Sequence, residues 1–219
     1  MTTDGRALPD TPWPDASWLS DTAGSWPVLG STELVSGRIV RLRRDTVRMP
    51  DGEQAAREVV EHPGAVAVVG LDDAGRVLLI RQYRHPAGGQ LWEIPAGLRD
   101  VAGEPLVVTA QRELLEEAGY VAAEWRCLAD FYSSPGISTE RIRVFLARQL
   151  TLVPSAEREY VPDHEEAHLV VEWAPLDVVV SRLLAGELHN GVLAVGVLAA
   201  YAARRDGFAS LREAGARES

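Results

Sequence analysis

An α+β domain built on a mixed sheet, with a small antiparallel β meander ahead of it, is predicted by three features of this 219-residue sequence. Residues 38–62 alternate apolar with charged side chains around the turn Met49-Pro50-Asp51-Gly52, the period-two pattern of strands with one buried face. Residues 65–71 and 77–84 carry apolar runs, as strands buried on both faces do. Leu106, Ala110, Leu114 and Ala118 recur every four residues, which makes an apolar helical stripe.

Residues 1–30 mix Pro9, Pro12, Pro14 and Pro27 with acids and small polar residues, which breaks both periods and predicts a disordered or loosely docked tail. Trp13, Trp18 and Trp26 in that stretch are read either as anchors for a folded surface or as loosely packed tail residues. Residues 31–62 form the meander, which has too little apolar surface to stand alone and must pack on the main domain or on a second chain. The runs at 65–71 and 77–84, joined by Asp72-Asp73-Ala74-Gly75, are expected to pair as a hairpin. Pro105 opens a helix over 105–118 and Gly119 closes it. Residues 125–130 and 141–147 read as strands around the loop 133–139, rich in glycine, proline and serine, and such a loop between buried strands suits a functional role. After a polar connection over 154–166, a strand at 169–173 precedes a helix at 176–184 ended by Gly186. Asn190 caps a last helix reaching Ala203, and residues 209–219 are a C-terminal tail.

Thirty-two acids against 22 lysines and arginines give a formal net charge of −10, which argues against nucleic-acid binding by phosphate neutralisation. The single cysteine, Cys127, excludes an intrachain disulfide framework and a Cys-rich zinc site, and predicts a cytoplasmic protein. The first twenty residues contain no signal-like apolar run, and the charge-free stretch 192–203 is shorter than the ~20 residues of a bilayer span, so no membrane partner is expected. The five histidines show no zinc spacing.

Chemistry concentrates on the helix at 105–118. Glu113 and Glu117 stand four residues apart with Glu116 beside them, so three carboxylates share one face at a local electrostatic cost. Arg112 offsets one of them through its i,i+4 relation to Glu116. The remaining negative charge suits Mg²⁺, or Mn²⁺ in its place, completed by water and substrate phosphates.

The series Gly97, Glu104, Arg112-Glu113, Glu116-Glu117, Gly119 resembles the Nudix box. Its helical positions would recur by chance about once per million starts at average residue usage. This sequence departs from the box in one place, having six residues rather than five between Gly97 and Glu104; the insertion lies in the loop ahead of the helix and leaves the spacing of the acids intact. The flanking text, 81–86, 91–97 and 134–138, is similar to the ADP-ribose pyrophosphatase branch of that superfamily. The resemblance spans about residues 31–207 and implies an α/β/α sandwich over 63–208, with 31–62 as a dimerisation segment.

It further implies that Glu113, Glu116, Glu117 and a main-chain carbonyl near Ala96 hold the metal, with Arg112 orienting the acids. Arg57, Arg84, Glu93 and Ser138 would contact the nucleotide substrate, a homodimer would form, and a glutamate of the loop Asp163-His164-Glu165-Glu166 would act as base, Glu166 by preference. The implied reaction is hydrolysis of ADP-ribose or a related nucleoside diphosphate sugar to AMP and ribose 5-phosphate. Rival readings are cleavage of another nucleoside diphosphate derivative, a non-catalytic regulatory Nudix module, and a structural domain whose acids are simply solvated.

Overall fold

The alternating stretch near the N-terminus folds as an antiparallel meander, β1 (Val28–Ser36), β2 (Arg41–Arg48) and β3 (Gln54–Glu61), in the computed structural model, which describes residues 19–158 and 169–218. β1 thus begins inside the stretch assigned to the tail. Every residue of β1 is exposed, and Trp26, Val28, Leu34 and Val35 carry apolar surface there. Trp13 and Trp18 lie outside the described residues. The meander meets the main body through Val60, whose N–H donates to the Ile137 carbonyl (2.8 Å) and whose carbonyl accepts from the Thr139 N–H (3.0 Å). Its strand end is therefore sewn onto the loop 133–140.

Among the described residues, the main body holds two sheets. A five-stranded mixed sheet runs β11 (Arg212–Glu213), β8 (Tyr120–Tyr132), β9 (Arg141–Leu152), β4 (Ala65–Gly70), β7 (Ala96–Leu98), with β4 parallel to β9. A three-stranded antiparallel sheet runs β10 (Val170–Pro175), β5 (Arg76–Arg84), β6 (Gly89–Glu93). The expected hairpin of 65–71 with 77–84 is corrected here: β4 and β5 belong to different sheets and share only the bridge Leu71–Val77. Both edges of β4 are taken by β9 and β7, so β5 pairs elsewhere. An apolar run marks burial on both faces; it does not say which strand lies alongside.

Helices cover the two faces. α1 (Leu106–Glu113) continues into a π turn at Leu114–Ala118, and its apolar stripe, Ala110, Leu114 and Ala118, packs with Val66, Val68, Leu78, Ile80 and Phe145. α2 (Leu176–Leu184) and α3 (Gly191–Ala203) cover the other face over Val69, Leu79, Val144 and Leu146. This is the α/β/α layering. Asn190 accepts from the Leu193 N–H (2.8 Å) as the N-cap of α3, and Gly196 lies so close to Ile94 and Val69 that a Cβ would press on both. No described helix is long and apolar enough to cross a membrane.

Candidate active site

The acidic face of α1 lies over β7, and the local sequence explains how. In β7 the residue pairing Gly97 with Val66 puts Gly97 on the α1 side of the sheet. With no side chain there, the Glu113 carboxyl rests directly on the strand; a Cβ at Gly97 would occupy the same space. Glu117 reaches the neighbouring residue and accepts from the Ala96 N–H at 2.8 Å. Two glutamates are thereby laid against two consecutive backbone positions.

Between them the helix widens into its π turn, a distortion common at functional sites. Gly119 ends it in the left-handed region (φ 76°), a conformation that glycine adopts without steric cost. Arg112 gathers the surrounding charge, donating to Glu113 Oε1 (2.7 Å) and Glu116 Oε2 (3.3 Å), with Asp100 and Glu104 at 3.5 and 3.7 Å. Glu104 is held in turn by the Thr109 hydroxyl at 2.7 Å. Burial pushes the Glu113 carboxyl up to about 7, against the pull of Arg112 and with help from Glu116 and Asp100. Its side chain is 12% exposed.

At the neighbouring strand ends, Glu93 faces the same side of the sheet as Ile80, its partner across β5 and β6. It is 2% exposed, and both oxygens are taken by Arg84, at 2.8 Å from Nε and 2.6 Å from Nη2, with Gln82 Nε2 at 3.4 Å. The half-exposed guanidinium of Arg84 is thus braced from below, in the fork geometry that gives arginine its directional grip. Ser138 lies on the loop tied to β3: its N–H donates to the Ser134 carbonyl (2.9 Å) and its Oγ accepts from the Glu140 N–H (3.1 Å). Arg57 sits on β3, three residues before Val60 and so about 10 Å along the strand, and it touches the Ala56 carbonyl and Met49 of its own sheet. Glu165 and Glu166 lie outside the described residues. Of the expected site residues, then, Arg112, Glu113, Glu116, Glu117 and Ala96 form one cluster, Arg84 and Glu93 form a bidentate pair, and Arg57 stays with the meander.

A NUDIX domain model matches residues 61–194, and the description of a nucleoside diphosphate sugar hydrolase N-terminal domain matches residues 26–60. The chain belongs to the Nudix family. Among curated relatives, an ADP-ribose pyrophosphatase of Mycobacterium tuberculosis is 48% identical over 184 residues, covering 84% of this chain and 86% of the relative. An ADP-ribose pyrophosphatase of Bacillus subtilis is 39% identical over 125 residues, 57% of this chain and 67% of the relative. A crystal structure titled as an ADP compounds hydrolase superposes with a TM-score of 0.68 at 18% identity, over 86% of this chain and 99% of that one, which speaks for the fold.

Nudix hydrolases generally use divalent metal ions. Among the described residues, no three His, Cys, Asp or Glu side chains are gathered tightly enough to hold an ion by themselves. Mg²⁺ usually takes one or two carboxylates and completes its shell with water and substrate phosphates. The donor set here, Glu113 and Glu117 on β7 with Glu116 alongside, fits such an ion, and the raised Glu113 carboxyl is a group that a cation would hold ionised. A cavity of about 450 Å³ opens elsewhere, between α2 and the far face of β5 and β6, lined by Leu79, Arg81, Trp92 and Arg182. It lies away from these acids.

Two features of the Nudix site escape a reading of the chain. Gln82 backs Glu93 from two residues before Arg84, a spacing that only the pleat of β5 explains. Asp100 joins the Arg112 cluster from the loop that carries the extra residue, and nothing in its local sequence marks it.

Proposed function

We propose that this Nudix protein is a Mg²⁺-dependent pyrophosphohydrolase that splits ADP-ribose into AMP and ribose 5-phosphate. The observation that carries the activity is the laying of Glu113 and Glu117 onto Ala96 and Gly97, together with Glu93, three residues before Ala96, which braces Arg84. The substrate follows from the Mycobacterium tuberculosis relative, whose name is ADP-ribose pyrophosphatase and whose match runs over most of both chains.

Water adds to one phosphorus, the bond from that phosphorus to the bridging oxygen breaks, and the two monophosphates leave with the water's proton removed to a base. Bound Mg²⁺ would supply Lewis-acid neutralisation of charge on the diphosphate. Arg84 grips a phosphate oxygen pair, and Glu93 holds its fork in place from beneath; Glu93 is in this reading a positioning residue rather than a nucleotide contact. Arg112 fixes the rotamers of Glu113 and Glu116. Glu166 is assigned the proton from water, and Ser138 and Arg57 a share of the substrate's far end. A panel of ADP-ribose, a nucleoside diphosphate hexose and a nucleoside triphosphate with Mg²⁺ is the test. Turnover is expected to be highest on ADP-ribose with AMP as product, and preference for the triphosphate would move the protein to another Nudix branch.

Residues 31–62 are assigned to dimerisation, 63–208 to the catalytic domain, 1–30 to a tail whose last three residues enter β1, and 209–219 to a C-terminal tail that adds β11 to the sheet, in a cytoplasmic homodimer. The exposed apolar side chains of β1 support this, since a lone three-stranded meander with such a face is marginal in water. Arg57 would then serve the partner's site. Deleting residues 28–60 is expected to convert a dimer to a monomer by light scattering, whereas deleting residues 1–18 leaves it intact. A full-length chain that is monomeric at micromolar concentration would remove both the dimer and the role of Arg57.

A further inference from the structure

The last residues of the chain are ordered across the face that carries α1. β11 lies on one edge of the five-stranded sheet and β7 on the other, about 19 Å apart at the usual strand spacing. A turn follows β11, closed by the Ala216 N–H on the Glu213 carbonyl at 2.9 Å, and beyond it Glu218 takes Arg99 Nη1 and Nη2 at 3.1 Å each at the far edge of the sheet. The segment thus links the two edges of the sheet.

Side chains of the sheet hold it at each step. Arg212 donates to Asp130 Oδ2 (2.9 Å) and contacts Cys127 Sγ (3.1 Å). Ala214 packs into the cluster beneath α1. The Ala216 carbonyl accepts from Arg143 Nη1 (2.5 Å), and Arg143 is itself locked on Asp130 at 2.7 and 2.8 Å, the two side chains being 3% and 6% exposed. Glu218 also lies 3.8 Å from Arg141. Gly64 leaves the space between Arg141 and Arg99 open, for a Cβ there would meet the Arg141 carbonyl at 2.9 Å and Arg99 Cδ at 3.0 Å.

The row that ends in Arg99 is next to the row that ends in Gly97. Arg143 pairs with Val66 and Val66 with Gly97 across the sheet, while the Arg99 N–H continues the ladder to the Gly64 carbonyl at 3.1 Å. β7 is three residues long and pairs with β4 along a single edge. A short edge strand held by few hydrogen bonds opens easily unless something else ties it. We propose that residues 212–218 form a strap that holds β7 under the acidic face of α1, with Arg99 and Glu218 as positioning residues for the site. This rests on the assignment of Glu113 and Glu117 as its acids.

Hydrogen exchange of the metal-free full-length protein tests the strap without reference to turnover. Glu218→Gln is expected to speed exchange of residues 94–104 about fivefold, as loss of one half-exposed ion pair allows, with exchange of 66–80 unchanged. In the same variant, calorimetry should show weaker Mn²⁺ binding and turnover should fall severalfold in kcat with KM held. The charge-swapped pair Arg99→Glu with Glu218→Arg should restore the slow exchange and the metal affinity. Unchanged exchange at 94–104 overturns the proposal. Faster exchange over the whole chain also overturns it, by making the tail a general part of the fold, and so does local opening with metal binding and turnover unaltered. Should the wild-type protein fail to cleave ADP-ribose, the exchange and calorimetric results still decide the strap, and only the substrate assignment falls.

Discussion

Glu117→Gln is expected to abolish most Mg²⁺-dependent turnover, by about 10³-fold, with the fold retained. Losing an outer-shell partner of a metal ligand typically costs about 10- to 100-fold, and a direct ligand should cost more. Gln at 117 can still accept from the Ala96 N–H, so the loss isolates the charge. Glu113→Gln should be as inactive, and it carries a second, opposite signature in stability. Burial raises its folded value from 4.5 to about 7, so between those values the folded chain holds a proton that the unfolded chain has released. Stability from this group is full below pH 4.5 and is lost as pH rises through 7, by about 3 kcal/mol. Glu113→Gln removes that loss, and the metal-free variant should melt several degrees above wild type at pH 8 and near it at pH 5. Mg²⁺ should narrow the gap by stabilising the wild-type carboxylate. A variant that melts lower than wild type at pH 8 would show that the Arg112 hydrogen bond outweighs the burial of charge, and full activity of either variant at saturating Mg²⁺ would return these acids to a solvated surface.

The acidic cluster was legible in the chain because its spacing is local. Arg112, Glu113, Glu116 and Glu117 fall within six residues, and one helix carries them onto one face. Even there the π turn at Leu114–Ala118 left no trace in the apolar repeat, since Leu114 and Ala118 remain buried either way. The partition of β4 and β5 into separate sheets was not legible, because Val66–Val69 and Val77–Ile80 carry equal hydrophobicity and pairing depends on which edges β9, β7, β6 and β10 occupy. The strap was invisible for a stronger reason. β11 has two residues and no periodicity, and its buckle joins Arg99 to a residue 119 positions away. Charged pairs at such separation follow from topology, and the sequence around each member reads as ordinary surface.

Glu166→Gln is expected to lower kcat by about 10²- to 10⁴-fold with KM nearly unchanged, the range for a positioned general base, whereas Glu165→Gln should be mild. Both residues lie in the segment 159–168, outside the described residues. It departs at Arg158, whose guanidinium packs against Gly119 at the end of the glutamate helix and whose Nε donates to the Val153 carbonyl at 2.8 Å. It rejoins the fold at Val170, opposite Arg81 on β5 and three residues from Arg84. The described ends of this ten-residue segment therefore lie beside the end of the acidic helix and on the strand paired with the one that carries Arg84. Adjacent residues of an extended chain point to opposite sides, so the two substitutions are expected to have unequal effects. The resemblance selects Glu166. Exchange of the two phenotypes would shift the register by one residue, and normal rates in both variants would transfer proton removal to a glutamate of the α1 cluster. A pH profile separates these cases: loss of the base should flatten the acid limb of kcat in Glu166→Gln, while a variant that only disturbs binding keeps that limb and raises KM.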